Sequence, residues 1–180
     1  IFMKLFSAKY IGDLKSLHNR KDRPRGFGGK IKPLGMFDSY MEKWKPTSAI
    51  DYGCGKGVIL EHLRTKYANT SWYGYDPAVV GMESISKSEF DCVFSNDVLE
   101  HIEPDCLTDV LQHIDKLANK YIWLRIDTLP ARKFFDDGRN AHLIIQDKDW
   151  WLENIQHTID GIVVYSMLGK KGKLDVAIEK

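Results

Sequence analysis

Short apolar runs alternate along this chain with segments whose apolar positions recur every three or four residues. "SAIDYG" reads as a buried strand, "SWYGYD" as a second one ending on Asp76, "FDCVFSND" (Phe90 to Asp97) as a third and "YIWLRID" (Tyr121 to Asp127) as a fourth. Between them lie helical periods. "MFDSYMEKW" spaces Met36, Phe37, Tyr40, Met41 and Trp44 for one helix face, and Pro46 closes it. "KGVILEHLRTKYA" turns Val58, Leu60 and Leu63 inward, and after "DVLEHIEPD" the series Leu107, Val110, Leu111, Ile114, Leu117 and Ala118 continues the pattern. "DKDWWLENIQHT" reads as a last helix, capped by Asp147 or Asp149, with Trp150 and Trp151 as core. The tail alternates apolar and polar residues on both sides of "GKKG", a hairpin pattern.

Strands alternating with helices predict an α/β fold whose parallel sheet carries helices on both faces, with the hairpin adding an antiparallel strand at the edge. Residues 1–46 read as a basic arm and a packing helix ahead of a domain at 47–180, in one globular unit overall. The run from Thr128 to Asp147 fits neither period and is long enough to be expected to carry function.

Composition narrows the partners. The 26 basic and 25 acidic side chains give a formal charge of +1, so no global field points to nucleic acid or an anionic membrane. Charge is local instead: Lys15 to Lys32 is strongly basic and glycine-rich, and reads as a solvated arm or as a basic flap over an anionic substrate. Cys54, Cys92 and Cys106 form no CxxC pair, which argues against a disulfide framework or structural zinc. No apolar run approaches the ~20 residues that span a bilayer, and the start lacks a small-residue cleavage site, so a cytoplasmic setting without membrane contact is expected.

"AIDYGCGKGVIL" is the chemically loaded stretch. A P-loop would need G-x-x-x-x-G-K-[ST], and here Gly57 follows Lys56 at the wrong spacing. The dinucleotide fingerprint G-x-G-x-x-G would put a glycine where Val58 stands, which counts against a nicotinamide-dependent oxidoreductase. Asp51 adds a carboxylate at the end of a buried strand, a costly position unless a cationic ligand group compensates it. S-adenosylmethionine carries such a group on its amino-acid end.

"IDYGCGKG" resembles the D-x-G-x-G-x-G motif of class I S-adenosylmethionine-dependent methyltransferases. Asp76 in "YGYDP" stands where that family places the carboxylate that accepts both ribose hydroxyls, and "FDCVFSNDVLEHI" is similar to the fourth-strand stretch of many small-molecule members. The resemblance implies a three-layer Rossmann-like methyltransferase fold, S-adenosyl-L-methionine as cofactor and S-adenosyl-L-homocysteine as product. The cofactor residues it implies are Asp51, Tyr52, Gly53, Cys54, Gly55, Asp76, Pro77, Asn96, Asp97 and Val98. Only 13 residues separate Asp76 from Phe90, so the third-strand region is expected to be shortened, with Pro77, Ala78 and Val79 as the nearest adenine-side substitutes.

Methyl transfer from a sulfonium needs alignment and exclusion of water more than a base. Glu100 and His101 are nevertheless the candidates for proton transfer, against a reading in which they merely pack below the cofactor. No recognised ligand spacing links Asp97, Glu100, His101 and Glu103, so no metal is expected. Arg139, Asn140 and His142 in "DGRNAHLI" are the candidate substrate contacts or, alternatively, loop anchors, and Arg125 and Asp127 are expected to pair with each other. The expected acceptor is a small molecule. RNA or a nucleotide, reached through the basic stretch, and a non-catalytic S-adenosylmethionine-binding module are the alternatives. Oligomeric state leaves no mark on the sequence.

Overall fold

The computed structural model of the chain describes residues 3–19 and 35–180. Six strands form one sheet: β1 (Ser48–Tyr52), β2 (Ser71–Tyr75), β3 (Phe90–Asn96), β4 (Ala118–Asp127), β5 (Ile162–Leu168) and β6 (Lys173–Glu179), in the order β2-β1-β3-β4-β6-β5. The first four run parallel. β6 is antiparallel to both β4 and β5. The hairpin therefore does more than add an antiparallel strand at the edge. Its second strand inserts between β4 and β5, and β5 takes the edge, because the apolar face of β6 (Leu174, Val176, Ile178) is fully buried and needs a neighbour on each side.

Among the described residues five helices accompany the sheet: α1 (Ala8–His18), α2 (Met36–Trp44), α3 (Val58–Lys66), α4 (Leu107–Leu117) and α5 (Lys148–Thr158). α4 and α5 cover one face, where Val110, Leu111, Ile114, Trp151 and Ile155 pack on Ile50, Val93, Ile122 and Val176. α2 and α3 cover the other, where Phe37, Met41, Trp44, Leu60 and Leu63 pack on Ala49, Phe94 and Trp123. The strand residues that alternate along the chain thus serve opposite layers, as the period-two side-chain pattern requires.

Local signals act where the sequence placed them. Asp147 caps α5 through its side chain, which accepts from the Trp150 amide at 2.9 Å. Residues 77–89 carry no helix or strand, so the third-strand region is indeed trimmed. Between β3 and α4 the backbone makes two short 3-10 turns, Leu99–His101 and Pro104–Cys106, rather than one helix start, because Pro104 opens a new turn.

Helix α1 is the element the sequence reading missed. Ser7 caps it by accepting from the Tyr10 amide at 3.1 Å, and Tyr10, Leu14 and Leu17 form its packed stripe. The basic run that begins at Lys15 overlaps its last turn, so Lys15 to His18 are helical and not part of an irregular arm. Residues 20–32 of that run lie outside the described residues. Among the described residues no helix is long and apolar enough to cross a membrane.

Candidate active site at the strand ends

The carboxyl ends of β1, β2 and β3 converge with the turns that follow them, as expected for ligand sites in open parallel sheets. After β1, Gly53, Gly55 and Gly57 adopt φ of 84°, 54° and 78°, backbone that only glycine takes easily. The amides of Gly53 and Cys54 donate to the Tyr75 carbonyl at 2.7 and 3.0 Å, pinning the turn to the end of β2. Gly57 then stands at the N-cap of α3.

Asp76 closes the same corner. One carboxylate oxygen accepts from the Gly55 amide at 3.0 Å and the other from the Ala78 amide at 2.9 Å. Each oxygen keeps a second lone pair for a ligand hydroxyl. Pro77 begins the turn beyond it and is half-buried.

Asp51 is 3% exposed, and its Oδ2 has no hydrogen-bond partner among the described residues. Burial, helped by the charge of Asp76, pushes its pKa up to about 8. A buried carboxyl with such an oxygen at this corner is the feature that a ligand ammonium would relieve. Tyr52 contributes differently: its ring packs on Tyr75 and its hydroxyl bonds to His113 Nδ1 at 3.0 Å, so the side chain belongs to the α4 layer. Cys54 is buried, and burial raises its thiol pKa, which leaves it a wall residue and not a nucleophile.

On the β3 side, Asn96 ends the strand and Asp97 turns the chain with φ 57°. The Asp97 amide donates to the Arg125 carbonyl at 2.8 Å, and its carboxylate pairs with Lys173 at 2.8 Å. Lys173 also pairs with Asp127 at 2.7 Å. Burial works against the Lys173 ammonium, but Asp97 and Asp127 outweigh it and raise its pKa. Arg125 forms a two-pronged pair with Asp175 at 2.5 and 2.7 Å. The expected Arg125–Asp127 pair is therefore absent. The β4–β6 register sets Arg125 opposite Asp175 and Asp127 opposite Lys173, so each finds its counter-charge across the sheet.

Glu100 and His101 sit just below. Glu100 is fully buried; its Oε1 accepts from the Asp127 amide at 3.0 Å, while its Oε2 has no partner among the described residues. Burial, then Asp97, push its pKa well above the ordinary carboxylate range. His101 is 9% exposed, with Nδ1 2.6 Å from the Ala141 carbonyl, and burial lowers its pKa to about 3.

The 128–147 segment and α1 form a roof over these strand ends. Tyr10 and Leu17 of α1 pack with Phe135 and Ala141, flanked by Leu14, Ala131 and Leu143. The outside of that contact is ionic: Arg139 pairs with Asp13 at 2.5 Å and with Asp137 at 2.8 Å, and Lys9 pairs with Asp137 at 2.9 Å. The start of α1 is tied to the turn after β3, where Glu103 accepts from the Ser7 amide and hydroxyl at 2.7 and 2.8 Å. Among the three predicted substrate residues, Arg139 points to this seam. Asn140 braces the loop through the Ala131 amide and carbonyl at 3.0 and 2.9 Å. Only His142 is buried beside His101, their rings 4.8 Å apart.

Lys173, Tyr10 and His18 are neighbours of the site that sequence reasoning did not reach. The charges of Asp76 and Glu100 both act on buried Tyr10, and those of Asp76 and Lys56 act on buried His18. No local motif marks them; the packing of α1 brings in Tyr10 and His18, and the β4–β6 pairing brings in Lys173. A groove of about 350 Å³ lined by Pro104, Leu107, Leu143 and Trp150 lies beside α4 and α5, away from the glycine turn.

A three-layer α/β sheet with a glycine turn after β1 and an acid after β2 defines a nucleoside-cofactor-binding protein. Residues 20–166 match the methyltransferase domain family, and the chain belongs to it. It is an S-adenosylmethionine-dependent methyltransferase. The corner fits that cofactor on its own terms: a buried carboxyl with one oxygen that has no partner among the described residues, a backbone open to close approach, and a second carboxylate with spare lone pairs.

Solved structures share the fold at low identity. The 1,6-didemethyltoxoflavin-N1-methyltransferase of Burkholderia thailandensis, solved with 1,6-didemethyltoxoflavin and S-adenosylhomocysteine, is 17% identical with a TM-score of 0.65, over 96% of this chain and 89% of that one. The magnesium protoporphyrin IX methyltransferase of Synechocystis, solved with S-adenosylmethionine, is 16% identical with a TM-score of 0.61, over 96% and 97%. An O-methyltransferase family protein from Burkholderia thailandensis is 14% identical with a TM-score of 0.59, over 82% of this chain, which spans 53% of that protein. No curated protein matches the sequence.

Proposed function

We propose that the protein transfers the methyl group of S-adenosylmethionine to a small-molecule acceptor held at the strand ends beneath α1 and the 128–147 segment. The roof carries this reading. An apolar cluster with an ionic outer seam covers the crevice, which favours an acceptor that can be enclosed over one that must lie along an open groove. Two structural relatives are also named for small-molecule acceptors, 1,6-didemethyltoxoflavin and magnesium protoporphyrin IX. A nucleotide or RNA acceptor would draw on the Lys15 to Lys32 stretch, most of which lies outside the described residues.

When bound, the cofactor supplies a methyl group on a positively charged sulfur. Asp51 is suited to its ammonium group and Asp76 to its ribose hydroxyls, while Gly53, Cys54 and Gly55 offer close main-chain approach. Asn96, Asp97 and Val98 wall the methionine side. Proton transfer by His101 is disfavoured, because an imidazole whose pKa is lowered to about 3 is a weak base near neutral pH. The chain's contribution is then alignment and exclusion of water. Arg139 and Asn140 act by fixing the roof, and His142 stands nearest the acceptor.

Methyl-labelled S-adenosylmethionine offered with a small-metabolite panel and, separately, with short RNAs tests the reading. Label in a low-mass product is the expected result. Label only in RNA, or none in either panel while S-adenosylhomocysteine still binds, would replace it with the RNA or the non-catalytic alternative. Calorimetric titration with S-adenosylhomocysteine and NADH checks the cofactor, and binding of NADH alone would sink the assignment.

A further inference from the structure

Glu100, His101 and His142 come from two segments about forty positions apart, and all three are buried. One potential ligand atom from each lies within 4.8 Å of the others. The donor set is one carboxylate and two imidazoles. Glu100 Oε2 is a fully buried carboxylate oxygen with no hydrogen-bond partner among the described residues, in a position that costs free energy unless something positive meets it.

The histidines are oriented in the way that metal ligands are. His101 Nδ1 meets the Ala141 carbonyl and His142 Nδ1 meets the Leu129 carbonyl. A carbonyl only accepts, so each Nδ1 carries a hydrogen, which leaves Nε2 as the ring atom that can ligate. Backbone carbonyls that fix the tautomer in this way are the usual outer support of ligating imidazoles. The two rings meet edge to face at 76°, which separates their nitrogens around a common space without stacking them.

We infer that Glu100, His101 and His142 form a binding site for one divalent first-row metal cation that accepts imidazole, of the Zn²⁺ or Co²⁺ class. A tetrahedral zinc ion with bonds of about 2.0–2.1 Å sets its donors roughly 3.3 Å apart, so the cluster closes with side-chain movements of about 1.5 Å at most. Nitrogen-rich donors disfavour Mg²⁺ and Ca²⁺, which prefer all-oxygen shells. Lys173, whose charge reaches Glu100, is already engaged by Asp97 and Asp127. Three protein ligands leave a position open. If the acceptor reading above holds, that position lies where an acceptor oxygen or nitrogen could coordinate.

Sequence spacing could not show this site, because its third ligand arrives on the 128–147 segment. The untagged chain, stripped with chelator and dialysed against Zn²⁺ or Co²⁺, should retain one equivalent of metal by elemental analysis. The Co²⁺ form should show visible d–d absorption. In long-range proton–nitrogen spectra of the wild-type chain, Zn²⁺ should shift two of the six histidines and leave the other four in place. His142→Gln and Glu100→Gln should each weaken metal affinity at least tenfold, with S-adenosylhomocysteine binding as the check that they fold. His113→Gln should retain the metal.

Less than half an equivalent on the wild-type chain overturns the inference, whatever the variants do. So does a histidine shift pattern that excludes His101 and His142, or folded variants that keep wild-type affinity. A chain that binds S-adenosylhomocysteine but no metal removes this site and leaves the methyltransferase reading standing; one that takes up metal but neither sulfur compound does the reverse.

Discussion

A Cβ placed on Gly53 would lie 2.3 Å from Val98 Cγ2, so the glycine turn after β1 and the turn after β3 touch at a point that admits no side chain. That contact sets the spacing between the two walls of the corner proposed for the cofactor. Gly53→Ala meets both this overlap and a φ of 84°. Strain of this kind costs about 1–3 kcal/mol. The variant should melt lower and bind S-adenosylhomocysteine more weakly, and adding Val98→Ala should restore part of both, since it removes the two nearest atoms. No recovery in the double variant would mean that backbone conformation alone is limiting.

Asp76 accepts one main-chain amide on each oxygen. Asp76→Asn replaces one oxygen with an NH₂ group that must face a donor, either Gly55 or Ala78. A hydrogen bond to a charged group is worth about 1.5–3 kcal/mol, so S-adenosylhomocysteine affinity should fall by roughly 10- to 100-fold with a parallel loss of thermal stability. Calorimetry and thermal melting read the two effects. An affinity loss with no change in stability would show that the amide contacts contribute little to the folded state.

Much of this was legible in the sequence, for identifiable reasons. Strong periodicity fixed α2, α4 and the first four strands, and the spacing of Asp51, three glycines and Asp76 marked the corner proposed here for the cofactor, because each of these signals is local. What failed depended on register or on distant packing. The Arg125–Asp127 pair looked natural at two residues' separation, yet β6 supplies Asp175 and Lys173 directly opposite them. Helix α1 was hidden because the basic run that starts at Lys15 overlaps its last turn and its stripe is packed against a loop some 120 positions later. His142 joins Glu100 and His101 for the same kind of reason.

Lys173 bridges Asp97 and Asp127 from the first position of β6. Lys173→Met leaves two half-buried carboxylates facing each other without their shared cation. Breaking a fully buried pair costs about 3–5 kcal/mol, and partial exposure here reduces that to roughly 1–3 kcal/mol. Thermal unfolding should show the loss. Double-mutant cycles with Asp97→Asn and Asp127→Asn should show the lysine coupled to both; coupling to one alone would mean that only one arm of the bridge contributes.

Asp51 supplies a pH signature. Its pKa is raised to about 8 in the folded, ligand-free protein, above the ~3.9 of an unfolded aspartate, because burial and the charge of Asp76 disfavour ionisation. A carboxyl whose folded pKa is raised binds more protons in the native state than in the unfolded one. Its contribution to stability therefore declines as pH rises from about 4 to about 8 and is flat beyond. Asp51→Asn removes that decline, so the ligand-free variant should gain stability relative to wild type at pH 9 and gain less at pH 5 in thermal melts. Cofactor binding runs the other way: the ammonium group pairs with the ionised form, so binding below pH 8 should release a proton, and affinity should climb by up to tenfold per pH unit toward pH 8. Calorimetry in buffers of different ionisation enthalpy counts that proton. A proton count of zero at pH 7, with no pH dependence of affinity between 6 and 8, would show that Asp51 does not meet the ammonium group.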